Sequence, residues 1–97
     1  MVFEFLYEMN ESSLVQHIGY ATADKTYDFT LVFSKLFFGK TLVTCLQSGR
    51  AALLDYEDVS NVSIIQDAFK LPDIASAQDV STVLLSSIPI PSWQEEY

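Results

Sequence analysis

The run Phe37-Phe38-Gly39-Lys40-Thr41 closes the way a nucleotide-binding loop closes, and it is the first stretch of the chain that suggests chemistry. A phosphate-cradling loop reads G-x-x-x-x-G-K-[ST] and opens a helix whose N-terminus faces the phosphates. Counting back from Gly39 places Ser34 where the first glycine belongs. Bulky Lys35, Leu36, Phe37 and Phe38 fill positions whose amides must wrap the phosphate. The following TLVTCLQ is strand-forming by composition. The stretch therefore reads as a hairpin loop, and no cofactor is expected.

Cys45 and His17 are the next pair to weigh. A thiol nucleophile needs its base within hydrogen-bond reach. The strand register developed below puts the two residues on opposite faces of a sheet, so no catalytic residue is assigned. Asp55, Glu57 and Asp58 gather three carboxylates in four residues. Hard cations need more converging oxygens than these, and a helix N-terminus welcomes the same charges, so no metal is expected. Lys35, Lys40 and Arg50 are the candidate anion contacts. Lys35 and Lys40 bracket the Phe37-Phe38 loop, while Arg50 follows Ser48-Gly49, at the opposite end of the shared strand.

Charge is divided along the 97 residues. The net charge of −8 splits into −4 over residues 1–24, +3 over 25–54 and −7 over 55–97. An acidic chain repels phosphate backbones, so nucleic acid is not an expected partner. The N-terminal MVFEFLYEMNE has acids and no basic n-region, and no apolar run approaches the ~18–20 residues of a membrane span. With a single cysteine and no expected disulfide, a cytoplasmic protein with no membrane partner is the expectation.

The elements that must position these residues follow from periodicity. SLVQHIGYAT, YDFTLVFS, TLVTCLQ and AALLD are β-branched and aromatic segments bounded by turn residues, which predicts a four-stranded antiparallel β-meander. TADK and SKLFFGK make the first two loops, and Ser48-Gly49 a two-residue third. That register sets Phe29 and Ala52 opposite Cys45, and Leu31 and Leu54 opposite Val43. Phe29, Leu31, Phe33, Val43, Cys45, Ala52 and Leu54 then share one face. Val59, Val62, Ile65 and Phe69 recur at helical spacing, predicting a helix over 59–71 ahead of Pro72. A second helix is expected after Ser76, with Asp79 completing a capping box, a stripe of Val80, Val83, Leu84 and Ile88, and Pro89 as its stop. The expected fold is one α+β domain over 1–97. Two C-terminal helices pack on one sheet face, and residues 89–97 form an extended tail.

VFEFLYEM fits both periods. As a helix it separates Glu4, Glu8 and Glu11 from Phe3, Leu6 and Tyr7; as a strand it aligns Phe3, Phe5, Tyr7 and Met9. A short N-terminal helix is the reading preferred. The sheet face away from the helices holds Val32, Leu42, Leu46, Leu53 and His17, which is too apolar to face water alone. Either the N-terminal segment or a second subunit covers it. Leu42, Leu46 and Leu53 are therefore the candidate interface. Phe37 and Phe38 join them, as a loop tip either tucked under the sheet or offered as an anchor.

YDFTLVFSKLFFGKTLVTCLQSGRAALL, taken with the LYE start and the two acidic helices, resembles a family of small cytosolic Firmicutes proteins labelled as a domain of unknown function. The likeness runs over most of the chain and is strongest from Tyr27 to Leu54. It implies a bacterial cytosolic setting and carries over no catalytic residue. The function expected is a non-enzymatic interaction or regulatory module acting as a homodimer, with an unidentified protein partner as a further possibility. The alternative is a small-ligand binder or enzyme with a pocket between helices and sheet, near Arg50 and Asp55–Asp58.

Overall fold

The β-branched segments pair as their composition predicts. A computed structural model describes residues 2–89. Strands β1 (Leu14–Ala21), β2 (Thr26–Phe33), β3 (Thr41–Cys45) and β4 (Arg50–Leu54) form one antiparallel sheet in the order β1-β2-β3-β4. Three helices follow, α1 (Tyr56–Ser60), α2 (Val62–Phe69) and α3 (Ile74–Leu85), so the fold is α+β. The tail expected over 89–97 lies, apart from Pro89, outside the described residues.

Between β2 and β3 the register is the expected one, with Phe29 opposite Cys45 and Leu31 opposite Val43. Between β3 and β4 it differs by two residues: Cys45 faces Arg50, Val43 faces Ala52 and Thr41 faces Leu54. The turn is four residues, Leu46 to Gly49, rather than Ser48-Gly49 alone. Gln47 accounts for it. Its side-chain amide accepts from Asp28 N at 2.8 Å and donates to the Asp28 carboxylate at 2.8 Å, holding residue 47 against β2. Gly49 then closes the turn at φ +71°, donating to Cys45 O at 2.9 Å. A slip of two preserves the faces, so Phe29, Leu31, Val43, Cys45 and Leu54 are buried together as expected.

The helical region divides more finely than its apolar period suggests. The stretch expected as one helix over 59–71 is two, because Asn61 is extended at φ −96°, ψ 105°. Its side chain accepts from Ser63 N and Ile64 N and so starts α2 afresh. Helix α3 begins at Asp73, not Ser76. Asp73 Oδ1 accepts from Ser76 N at 2.7 Å, and Ser76 itself is buried in the first turn. The inward stripe is Ala77, Val80, Leu84 and, just beyond the helix, Ile88; Val83 is only half-buried on its flank. These side chains meet Val59, Ile65 and Phe69 over the sheet, with the Phe69 ring edge-on to Phe29 at 5.5 Å.

No helix forms at the N-terminus. Residues 2–13 have no regular secondary structure, and their large side chains are exposed. Two forces oppose the expected helix. Isolated helices shorter than roughly 12–15 residues are marginal in water. Glu4, Glu8 and Glu11 would also stack at i, i+4 and i, i+3 and repel. We call this segment the arm.

Candidate functional site

Each strand puts alternate side chains on the face away from the helices, and the ladder arranges them in rows. Val15 faces Val32, Val32 faces Leu42, and Leu42 faces Leu53. This apolar row crosses all four strands at the end where the arm leaves β1. The outer members are open to solvent, Val15 at 46% and Leu53 at 45% exposure, whereas Val32 and Leu42 are half-buried by their neighbours. The next row is polar but for its last member: His17, Thr30, Thr44 and Ala51, with His17 Nδ1 and Thr30 Oγ1 hydrogen-bonded at 3.0 Å. Beyond it Gly19 faces Asp28, and a Cβ on Gly19 would lie 2.8 Å from Asp28 Oδ1. A side chain at Gly19 would require the Asp28 carboxylate, which Gln47 holds, to shift.

The structure thus brings Leu42 and Leu53 into one row and leaves Leu46 in the β3–β4 turn, 57% exposed. Val15 completes the row and was not singled out from the sequence; alternation within LVQHIGYA is the signal that carries it. The Phe37-Phe38 tip does neither thing as a pair. Phe37 closes a 3-10 turn (Lys35–Phe37) and is half-buried, while Phe38 takes the left-handed conformation at φ +53° and is 91% exposed.

Lys40 has a structural occupation. Asp55 and Asp58 form a reciprocal cap on α1: Asp55 Oδ1 accepts from Asp58 N at 2.8 Å and Asp58 Oδ2 from Asp55 N at 3.0 Å. Lys40 Nζ donates to the same Asp58 Oδ2 at 3.0 Å and lies 3.9 Å from Asp55 Oδ2. The Asp55 amide, seconded by Lys40, holds the Asp58 carboxyl below the usual carboxylate range, and Asp58 raises Lys40 in turn. The acidic cluster and the lysine of the loop are thereby one staple between β3 and α1. Gly39 sits at φ +87° ahead of β3, so the loop feeds a strand.

The other cations do not join it. Lys35 is exposed on the rim of an open groove of about 400 Å³ that Lys40 and Pro89 also line. Arg50 is exposed at the far end of β4. Asp55 follows that strand, so Arg50 and Asp55–Asp58 stand at its opposite ends, roughly 17 Å apart at 3.3–3.4 Å per residue. A pocket between helices and sheet that touched both would have to span that length. Lys25 also serves the fold, donating to Ser76 Oγ at 2.9 Å and lying 3.6 Å from Asp73.

Cys45 is fully buried on the helix side and His17 lies on the open face, which separates the two as the register predicts, although the β4 neighbour of Cys45 is Arg50 and not Ala52. Among the described residues no group of three His, Cys, Asp or Glu side chains is placed to hold a metal ion. No described helix is long and apolar enough to cross a membrane. What the site offers chemically is an apolar strip beside a hydroxyl-rich one, a surface suited to contact.

The model of the SAV0927-like family matches residues 6–86. The chain belongs to the SAV0927-like family. The SAV0927-like match takes in the whole sheet, all three helices and the arm from Leu6 onward, so the open row and most of the arm lie within the family's span. Among curated proteins none matches the chain.

Proposed function

We propose that this SAV0927-like protein is a non-enzymatic interaction module of the bacterial cytosol that works as a homodimer and uses the open face of its sheet. The observation that carries the reading is the apolar row Val15-Val32-Leu42-Leu53, left partly open across all four strands. A two-fold contact presents the same row from both copies. Val15 and Leu53 each leave on the order of 75 Å² to re-bury, and at ~25 cal/mol per Å² two copies together gain about 7–8 kcal/mol. Association costs ~4–15 kcal/mol, so the contact is weak and concentration-dependent.

The test is sedimentation equilibrium at tens of micromolar, where a weak dimer is populated. Wild type sediments above monomer mass, and Leu42→Glu lowers that mass while circular dichroism stays native. A monomeric wild type refutes self-association. Unfolding of Leu42→Glu makes the row part of the core instead.

A further inference from the structure

Two features of the chain fit one another. The first is the arm. Its apolar side chains Val2, Phe3, Phe5, Leu6, Tyr7 and Met9 are each between 53% and 98% exposed. Phe3, Phe5, Tyr7 and Met9 alternate, which is the period of a strand, yet the segment has no ladder partner among the described residues. The second is the outer edge of β1. Eight residues, LVQHIGYA, carry no charge and no proline, and β2 occupies only one side of them. Sheet edges are ordinarily blunted by charge, proline or a bulge, because bare N–H and C=O groups invite another strand. The opposite edge, β4, is shorter, carries Arg50 and has α1 and α2 packed against it.

We infer that the arm of a second copy adds as a strand to the outer edge of β1, each copy giving its arm to the other. The inference rests on the homodimer reading but uses a different surface from the open face. The arm is the direct continuation of β1, so a two-fold axis near Ser12 runs each arm antiparallel along the other copy's β1. Eight residues, Phe3 to Asn10, then match the eight of β1. Phe5 falls opposite Gly19, beside the Asp28 carboxylate that reaches over that glycine, Tyr7 opposite His17, and Met9 opposite Val15. In this phase the four alternating side chains join the open face, and Met9 lengthens its apolar row. The other phase puts Glu4 and Glu8 there.

The arm's own chain does not provide this seat. Ser34 Oγ donates to the Glu11 carboxylate, which holds the base of the arm toward the β2–β3 corner, away from its own outer edge. The area is sufficient. Side chains of this size present about 150–200 Å² each. Burying half of that for the four side chains in both arms, with the matching surface of β1, removes roughly 1,200–1,600 Å² from water, within the range of a stable interface. The backbone gains as well, since edge pairing satisfies amides that the arm and β1 otherwise leave to solvent.

The experiment mixes two full-length single variants, Tyr7→Cys and His17→Cys, under mild oxidation. Either ladder spacing of directly opposed residues lies within disulfide reach, and buried Cys45 stays out of the reaction. The expected result is a covalent heterodimer on a non-reducing gel, formed equally in a Leu42→Glu background and lost when Phe5→Asp is added to the Tyr7→Cys chain. No heterodimer overturns the exchange. A Tyr7→Cys/His17→Cys chain that gives only a monomer-sized disulfide shows the arm folding back on its own β1, and overturns it too. If Leu42→Glu sediments as a monomer and no heterodimer forms, this inference falls and the open-face reading stands. If the heterodimer forms and Leu42→Glu leaves the mass unchanged, the open-face contact falls and this one stands.

Discussion

Tyr20 carries a hydroxyl that the fold buries without a hydrogen-bond partner among the described residues. Its ring lies beside its cross-strand neighbour Tyr27 at 5.5 Å and beside Phe29 at 6.5 Å, both stacked, and Phe would keep both contacts. Leaving a buried hydroxyl unpaired costs ~1–3 kcal/mol, and Tyr20→Phe removes the cost with the oxygen. At the low end of that range the variant gains about 1 kcal/mol, a rise in Tm of roughly 4–8 °C for a domain of this size. A second signature distinguishes this from a gain in packing. Burial first, then the neighbouring Tyr27, Asp79 and Cys45, push the Tyr20 pKa up to about 12. With the folded value above the ordinary ~10, this group's contribution is fully present below pH ~10 and is lost as pH rises through the folded value. The variant lacks that loss, so its advantage widens on the alkaline side. Urea unfolding at neutral pH and again above pH ~10 measures both effects. A variant less stable than wild type at neutral pH refutes the reasoning, because the hydroxyl then has a partner.

Asp58→Asn keeps an acceptor for Asp55 N but removes the carboxylate charge and with it the Lys40 ion pair, and costs up to about 1 kcal/mol at neutral pH by thermal melting. Because Asp58 titrates below the ordinary carboxylate value, its contribution is present above pH ~3.9 and is lost as pH falls through the lowered value. Wild type and variant therefore converge in acid, and parallel melting curves down to pH ~2 refute the assignment. Cys45 reacts slowly with a thiol reagent until the protein unfolds, and Cys45→Ser costs about 1–3 kcal/mol; rapid native labelling contradicts its burial. Lys70 ends α2 at φ +55°, so Lys70→Gly stabilises by about 0.5–1 kcal/mol in denaturant titration, and a destabilised variant shows that its side chain packs.

Where local signals agree, the fold is readable from the residues. Phe29 against Cys45 and Leu31 against Val43 follow from alternation and one loop length, and so does the separation of Cys45 from His17. The β3–β4 slip escapes such reading because Gln47 reaches Asp28 nineteen residues away, and no local pattern announces that bond. The division of α1 from α2 turns on one side chain, Asn61, whose capping competes with an uninterrupted apolar stripe. Asp73 takes the cap of α3 ahead of the plausible Ser76 because Ser76 is committed to Lys25. VFEFLYEM satisfies two periods at once and adopts neither, since a helix this short with Glu4, Glu8 and Glu11 on one side is marginal and no described strand pairs with it. Of the candidate site, Leu42 and Leu53 are legible by parity, while the continuous row through Val15 needs all three registers together.

The strand order β1-β2-β3-β4 has a consequence for how the chain acquires its shape during synthesis. Every pairing joins consecutive segments, so each hairpin closes over a short loop soon after its second strand appears, and local connections of this kind fold quickly. The layer that seals the sheet comes from the opposite end of the chain. Phe29, Leu31 and Val43 are covered by Ile65, Phe69, Val80 and Leu84, all of which lie after the last strand. A growing chain therefore spends the interval between β4 and α3 as a finished sheet with one bare face. Exposed apolar surface and open strand edges are the features that draw partly made proteins into aggregates. Six acids, from Asp55 to Asp79, appear in that same interval, and like charge of this kind opposes the close approach of neighbouring copies.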